Sequence, residues 1–437
     1  MAKVSGYKQV AVGQPPAAGS LVAAQYGFRV AVYHAQAELP GARAVIERLA
    51  AGKFALPANA AAAEQATGAS VTFDSPAVTD VPPPDQAALQ YFARGLSPVD
   101  EQALLASKSV TVLHFRGPGA QAAPQYRAAL QLVDAFVHEV GGYPWDAEAG
   151  RVFTAQSWGA LLENWQGDEP QLGDHIALHV YRDGELIRVI SLGMAKLALP
   201  DLAINQVSAS ESEAMASLAN LVCQTLLEQG QLGSAGHLLA SIDALKHAAY
   251  KAQLSTDLKD NAKRRVALEI RVSKPEEGDS DNRLLEVVFP GNVNTLQERQ
   301  TAALSELFGA HDSLVTVKHD PELLAASARA RSKALLIGKR YAKGPPFGEE
   351  LQVKAPFITT SGGNEWMWVE VVRWNGDAID GILKNDPFEV PSLKAGARVQ
   401  VRASEIFDYL LTKRDGSSEG NETGPLIDAR ENSVQEK

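Results

Sequence analysis

Two hydrophobic periods alternate along the chain. FRVAVYH at residues 28–34 is an unbroken apolar run of strand length; after Pro40, Val45, Ile46 and Leu49 recur on one helical face. SVTFDSPAVTDVPPP, from Ser70, reads as a second strand, interrupted at Pro76 and stopped by Pro82–Pro84. DQAALQYFARGL resumes a helical period. The order then repeats: SVTVLHF from Ser109 is a strand, residues 126–140 form an amphipathic helix carrying Leu130, Val133, Phe136 and Val137, and RVFTA from Arg151 is a strand. Two successive βαβ-like halves predict a duplicated, ferredoxin-like domain.

Further along, IALHVYRDGELIRVISL is a hairpin whose Asp183-Gly184 pair suits a type I′ turn. A long helix over residues 210–229 follows, with Ser210 as N-cap and Glu213 completing a capping box. From Gly230 the pattern loses its apolar stripe and reads as a helical linker. VALEIRVSK and NRLLEVVFPG are strands around the acidic loop PEEGDSD; a helix starts at Asn294 or Thr295, SLVTVKH is a strand, and Pro321 opens another helix. After Lys343 the chain turns β-rich. The expected division is a lead-in at 1–20, a duplicated domain at 21–230, a linker at 231–262, a small α+β unit at 263–327, a β-rich unit (a curved sheet or small barrel) at 328–414, and a disordered acidic tail at 415–437. The fold class is α+β with several domains.

Composition predicts the disordered tail, since SSEGNETGPLIDARENSVQEK has few apolar groups to offset its ordering entropy. Overall, 45% hydrophobic and 21% charged residues describe a globular protein. Its 52 acids against 41 bases give a net charge of −11, which argues against nucleic acid and suits a basic protein partner. One cysteine, Cys223, inside the apolar run SLANLVCQTLLEQ, excludes disulfide frameworks and reads as a buried core thiol. The N-terminus lacks a signal-peptide apolar stretch, and no segment is long and apolar enough for a membrane span. A cytosolic protein without a cofactor is expected.

Chemistry-bearing candidates are few. Ser157, in AQSWG between a strand and a helix, has the setting of a nucleophile elbow, with His175, His179 or His237 as the base; Ala155 replaces the first glycine, and a serine there equally serves as a helix N-cap. His175 and His179, beside Asp174, stand four residues apart and could share a metal if they lie on one strand, though the HExxH glutamate is missing. GPGA at Gly117 and SGGN at Ser361 complete no phosphate loop. Lys333, Lys339, Arg340 and Lys343 could attract an anion or simply answer a helix C-terminus. Glu276-Glu277 and Glu349-Glu350 read as solvated charge. NEWMWVEVVRW, residues 364–374, reads as a central strand with Trp366, Trp368, Glu370, Val372 and Trp374 on one face and Met367, Val369, Val371 and Arg373 on the other. The first face is either core or a binding surface.

This segment carries a resemblance. EELQVKAPFIT, then GNEWMWVEVVRWNGDAIDGILKNDPFEVPSLKAGARVQV, then SEIFDYLL resembles a YegJ-type bacterial domain of unknown function over about residues 328–428. The pattern rests on Glu365, Met367-Trp368-Val369, Gly381, Leu383, Asn385-Asp386-Pro387, the 393–396 turn and Asp408; Tyr409 departs from it, standing where the family usually has Trp. The resemblance implies no activity and no catalytic residue. The N-terminal half is similar to bacterial domains of unknown function with duplicated ferredoxin-like halves, which implies an immunity or accessory role. Together these readings favour a non-enzymatic protein-interaction module. A Ser157 hydrolase, a His175/His179 metal enzyme and a small-molecule sensor using the tryptophan face are the alternatives.

Overall fold

A computed structural model describes residues 13–16, 19–86, 88–89, 95–165, 167–256, 258–277, 279–291, 295–310 and 320–435. The expected strand at 313–319, Asn294, part of the 85–96 helix and most of the lead-in lie outside them.

Three sheets organise the molecule. The first contains β1 (Gln25–His34), β2 (Ser70–Asp74), β3 (Ser109–Pro118), β4 (Tyr143–Asp146) and β5 (Arg151–Val152) in the order β2-β3-β1-β4-β5. Because β3 and β4 both run antiparallel to β1, which lies between them, the Ala122–Val140 helix that joins them makes a split βαβ crossover. One side of that helix buries Tyr126, Leu130, Val133, Phe136 and Val137, at about 1.5–3 kcal/mol for each large apolar side chain taken out of water.

The second sheet contains β6 (Ala177–Asp183), β7 (Leu186–Leu192), β8 (Asp201–Val207), β9 (His237–Ser241), β10 (Arg265–Ser273) and β11 (Leu284–Val288), ordered β6-β7-β8-β11-β10-β9. The hairpin falls where expected, but its two-residue loop is Gly184-Glu185, and only Gly184 takes a positive φ, of 66°. A type I′ turn needs positive φ at both loop positions, so the turn is of another type. The helix after β8 spans Ser212–Gln229 and has no side-chain cap. Ser210 instead sits in a 3-10 turn, its hydroxyl given to Glu370. The stretch expected to be a linker supplies β9 to this sheet, and the 263–291 strands complete it. The expected boundaries at 231 and 263 therefore lie in connections between strands of one sheet. A single apolar core joins residues of both sheets, from Phe28 and Phe115 to Ile270 and Phe289, with Cys223 wholly buried in it. Burial pushes that thiol up to about 12, so it stays a thiol.

The third sheet has its own core and only antiparallel pairs. It contains β12 (Glu350–Ile358), β13 (Asn364–Asn375), β14 (Ala378–Leu383), β15 (Arg398–Arg402), β16 (Asp408–Thr412) and β17 (Ser418–Gly420), ordered β15-β14-β13-β12-β16-β17. The Pro321–Gly338 helix, capped by Asp320, covers one face. The segment after Asp415, expected to be disordered, instead carries β17 and a helix over Gly424–Gln435. The buried Asp408 organises its entry by accepting bonds from the Glu422 and Thr423 amides and the Thr423 hydroxyl.

Candidate functional site

Ser157 lies at the third position of the Ala155–Glu163 helix. Thr154 is the N-cap, and the two side chains form a reciprocal capping box: the Thr154 amide donates to Ser157 Oγ at 2.9 Å, and the Ser157 amide donates to Thr154 Oγ1 at 3.1 Å. The hydrogen bonds of the Ser157 hydroxyl all run to Thr154, with no histidine among its partners in the described residues. His237 stands on β9, on the second sheet's outer edge. The strand-to-helix setting was legible; the chemistry assigned to it is a helix start.

His175 and His179 belong to different elements. His175 closes the Leu172–Asp174 3-10 turn, whereas His179 lies within β6, half-buried with its ring 5.4 Å from that of Tyr181. The i,i+4 argument needed both on one strand. The Asp174 carboxylate accepts a long bond, 3.4 Å, from Asn164, and its carbonyl accepts from Arg151. Among the described residues no group of three or more His, Cys, Asp or Glu is placed to hold a metal.

His175 instead joins a buried polar knot at the seam of the first two sheets. Its Nδ1 lies 3.2 Å from the Tyr126 hydroxyl, and its carbonyl accepts from Lys196, whose ammonium also pairs with Asp146. Lys196 is 1% exposed. Burial holds the His175 imidazole well below its ordinary value, reinforced by the charges of Lys196 and Arg151, so it is neutral at pH 7. A second knot pins the acidic loop: buried Arg188 pairs with Asp279 at 2.7 Å and Glu276 at 3.4 Å, and Tyr181 donates to Asp279 at 2.9 Å. Glu276 is thus tied to the sheet and not merely solvated. Glu349 likewise pairs with Arg340 at 2.8 Å, and Lys333 with Glu422 at 2.6 Å, so two of the four cations in the expected anion cluster serve internal pairs.

Two concave regions merit comparison beside this knot. A cavity of about 920 Å³ lies over the first sheet, but its charges largely answer one another: Arg43 with Glu47, and Arg116 with Glu64 and Gln25. A groove of about 430 Å³ at the seam is lined by Glu148, Asp201, Asp279, Asp281 and Asn282. There Asp201 accepts from Ser191, the Met194 amide, Ser280 and Asn282, and Asp279 is held by Arg188. Glu148 has no such cage, only a hydrogen bond from the Arg29 amide. Burial pushes its carboxyl above the usual range, the Asp146 charge adds to this, and Lys196 and Arg29 offset only part.

The tryptophan strand divides. Between Val371 and Arg373 the β13–β14 register shifts at a β-bulge, and a bulge adds one residue to the alternation. Trp374 therefore turns to the opposite face from Trp366 and Trp368, joining Met367, Val369 and Val371 in the core. It packs so closely under the Pro321–Gly338 helix that a Cβ at Gly338 would fall 2.5 Å from its ring. Strict period two placed it on the other side. Glu370, 2% exposed, is also no surface ligand: its carboxylate accepts from the Ser208 and Ser210 hydroxyls and from the Ala209 amide at 2.9 Å, tying the third sheet to the end of β8. Lys384 at 3.7 Å from Glu211 and the Leu186–Val372–Ile382 contact continue this seam.

Trp366 and Trp368 stay half-buried on the remaining face. Trp366 lies 4.6 Å, ring to ring, from Phe407, and Lys354, paired with Trp368 across β12 and β13, sets its ammonium 5.7 Å from the Trp368 ring. Sequence reasoning missed Lys354 and Phe407, because their proximity to the tryptophans depends on strand register that periodicity does not give. Glu365 and Asn385, part of the quoted pattern, have structural work: Glu365 accepts from the Phe388 and Glu389 amides, and Asn385 from the Trp368 amide.

All six strands of this sheet fall inside a match to a family model. Residues 340–426 match the family described as "Uncharacterized protein conserved in bacteria (DUF2314)". The third sheet is thus similar to a bacterial domain of unknown function. Uncharacterized protein YegJ of Escherichia coli (strain K12) is 26% identical over 132 residues, spanning 29% of this chain and 80% of the relative. No solved structure matches the chain. No helix among the described residues is long and apolar enough to cross a membrane.

Proposed function

We propose that the chain works by holding a partner and not by turning over a substrate, and that the partner is a protein presenting a basic side chain to the seam groove. Glu148 carries this reading: it is a half-buried carboxyl with an acidic neighbour, held by the Arg29 amide and, among the described residues, with no cation within pairing distance, in a groove that opens beside Asp281. A Lys or Arg from a partner would supply the missing charge, and the net charge of −11 would steer such a partner inward. The structural employment of Ser157 and His175 supports binding over hydrolysis. An immunity or accessory role is the specific form we favour.

The test is affinity capture from the native host, repeated with Glu148→Gln/Asp281→Asn. A stoichiometric basic protein held by the unaltered chain and lost from the double variant supports the proposal; its retention by the variant, or the absence of any partner, overturns it. A second reading, recognition of a small molecule, is favoured by the half-buried Trp366, Trp368 and Lys354 on one face of the third sheet, with the buried Phe407 behind Trp366.

A further inference from the structure

Lys354 is placed on an inner strand, between β13 and β16, with Trp368 and Asp408 as cross-strand neighbours. Among the described residues its ammonium has no hydrogen-bond or ion-pair partner, and its contact is with the Trp368 ring. Two carboxylates face it, Asp408 and Asp428, both beyond ion-pair distance. Asp408 is already committed to the amides of Tyr409, Glu422 and Thr423 and to the Thr423 hydroxyl. Asp428 is exposed on the Gly424–Gln435 helix. Farther along the same face, Glu350 accepts from Gln352 at 2.5 Å and Glu370 is tied to residues 208–210.

A partly buried cation that no carboxylate or carbonyl meets is costly. Burial accordingly lowers the pKa of this lysine, and the two distant carboxylates recover only part of the loss. Next to it stands the half-buried Trp368 ring, with the half-buried Trp366 two residues away on the same strand, backed by the buried Phe407, and such indole rings suit a flat apolar body. We propose that Lys354 anchors a binding site for an organic anion, a carboxylate or phosphate borne on a flat apolar group that rests against Trp366 and Trp368. The site deepens the second reading above and rests on it.

The full-length chain is titrated with benzoate, phenyl phosphate and, as an uncharged control, benzyl alcohol, following tryptophan fluorescence; the series is repeated on Lys354→Met and Lys354→Arg. The expected result is a saturable response to at least one anion, at least tenfold weaker for benzyl alcohol, lost by tenfold or more in Lys354→Met and partly kept in Lys354→Arg. Stronger binding of benzoate or of phenyl phosphate identifies the head group. Unfolding of the variants in denaturant confirms that they are folded. No saturable response to either anion, or a response unchanged in folded Lys354→Met, overturns the proposal. Equal, Trp368-dependent responses to benzyl alcohol and benzoate would overturn the Lys354 anchor while leaving the aromatic face as a recognition surface.

Discussion

Lys196 and Lys354 occupy opposite situations. Lys196, at the seam of the first two sheets, is almost wholly enclosed, and its charge is met by the Asp146 carboxylate and the His175 carbonyl. Lys354, on the third sheet, is half-buried, and among the described residues its ammonium meets only the Trp368 ring. A buried cation with full partners holds its surroundings in one arrangement; one without them is a cost that the fold carries and a bound anion could remove. The difference separates a structural charge from a candidate binding charge in the same chain.

The largest expected effect breaks the first half of that comparison. Lys196→Met leaves Asp146 buried and unpaired and should destabilise the chain by about 3–5 kcal/mol, read from the midpoint of urea unfolding. Next, Glu370→Ala removes the acceptor for Ser208, Ala209 and Ser210 and should cost about 1.5–3 kcal/mol, with the third sheet unfolding in a separate step. Circular dichroism and tryptophan fluorescence, followed together, would detect the split.

A smaller effect concerns pH. The His175 value is depressed in the folded chain, so between that value and the ordinary one the unfolded chain binds the extra proton. Stability is fully present above about pH 6.5 and falls as pH drops below it, by up to ~1.4 kcal/mol per pH unit for this group. His34, also held low by burial, acts in the same direction. His175→Asn should be less stable at neutral pH yet show a shallower decline between pH 6.5 and 5.5. The smallest effect belongs to Lys354→Met, which should change stability by less than about 1 kcal/mol.

Local signals in the sequence foretold local structure. The apolar run at β1, the amphipathic residues 126–137, the Gly184 turn and the Thr295 and Pro321 helix starts all appear where composition and spacing place them. What depends on remote partners was not legible. Ser210 has the form of an N-cap, yet a glutamate 160 residues away takes its hydroxyl. The polar 231–262 stretch carries no helical apolar stripe because its strand, β9, is only five residues long and lies at a sheet edge, where alternate side chains are exposed. The acidic loop looks solvated until Arg188 is seen beneath it. The tail from 415 is compositionally poor, and its order comes from Asp408 and from pairing with β16. For the candidate site, Trp366 and Trp368 were legible from period two; Trp374 was misplaced by one inserted residue at the bulge.

Unfolding of the unaltered chain and Lys354→Met, side by side with and without phenyl phosphate, tests the central contrast most directly. Without the probe, the variant should unfold within about 1 kcal/mol of the parent, since no internal partner is lost. With the probe, the parent alone should gain stability, because a ligand that binds only the folded chain shifts its unfolding. A variant that is several kcal/mol less stable without any probe, or that gains as much from the probe as its parent, would contradict the assignment of Lys354 as an unpaired anchor.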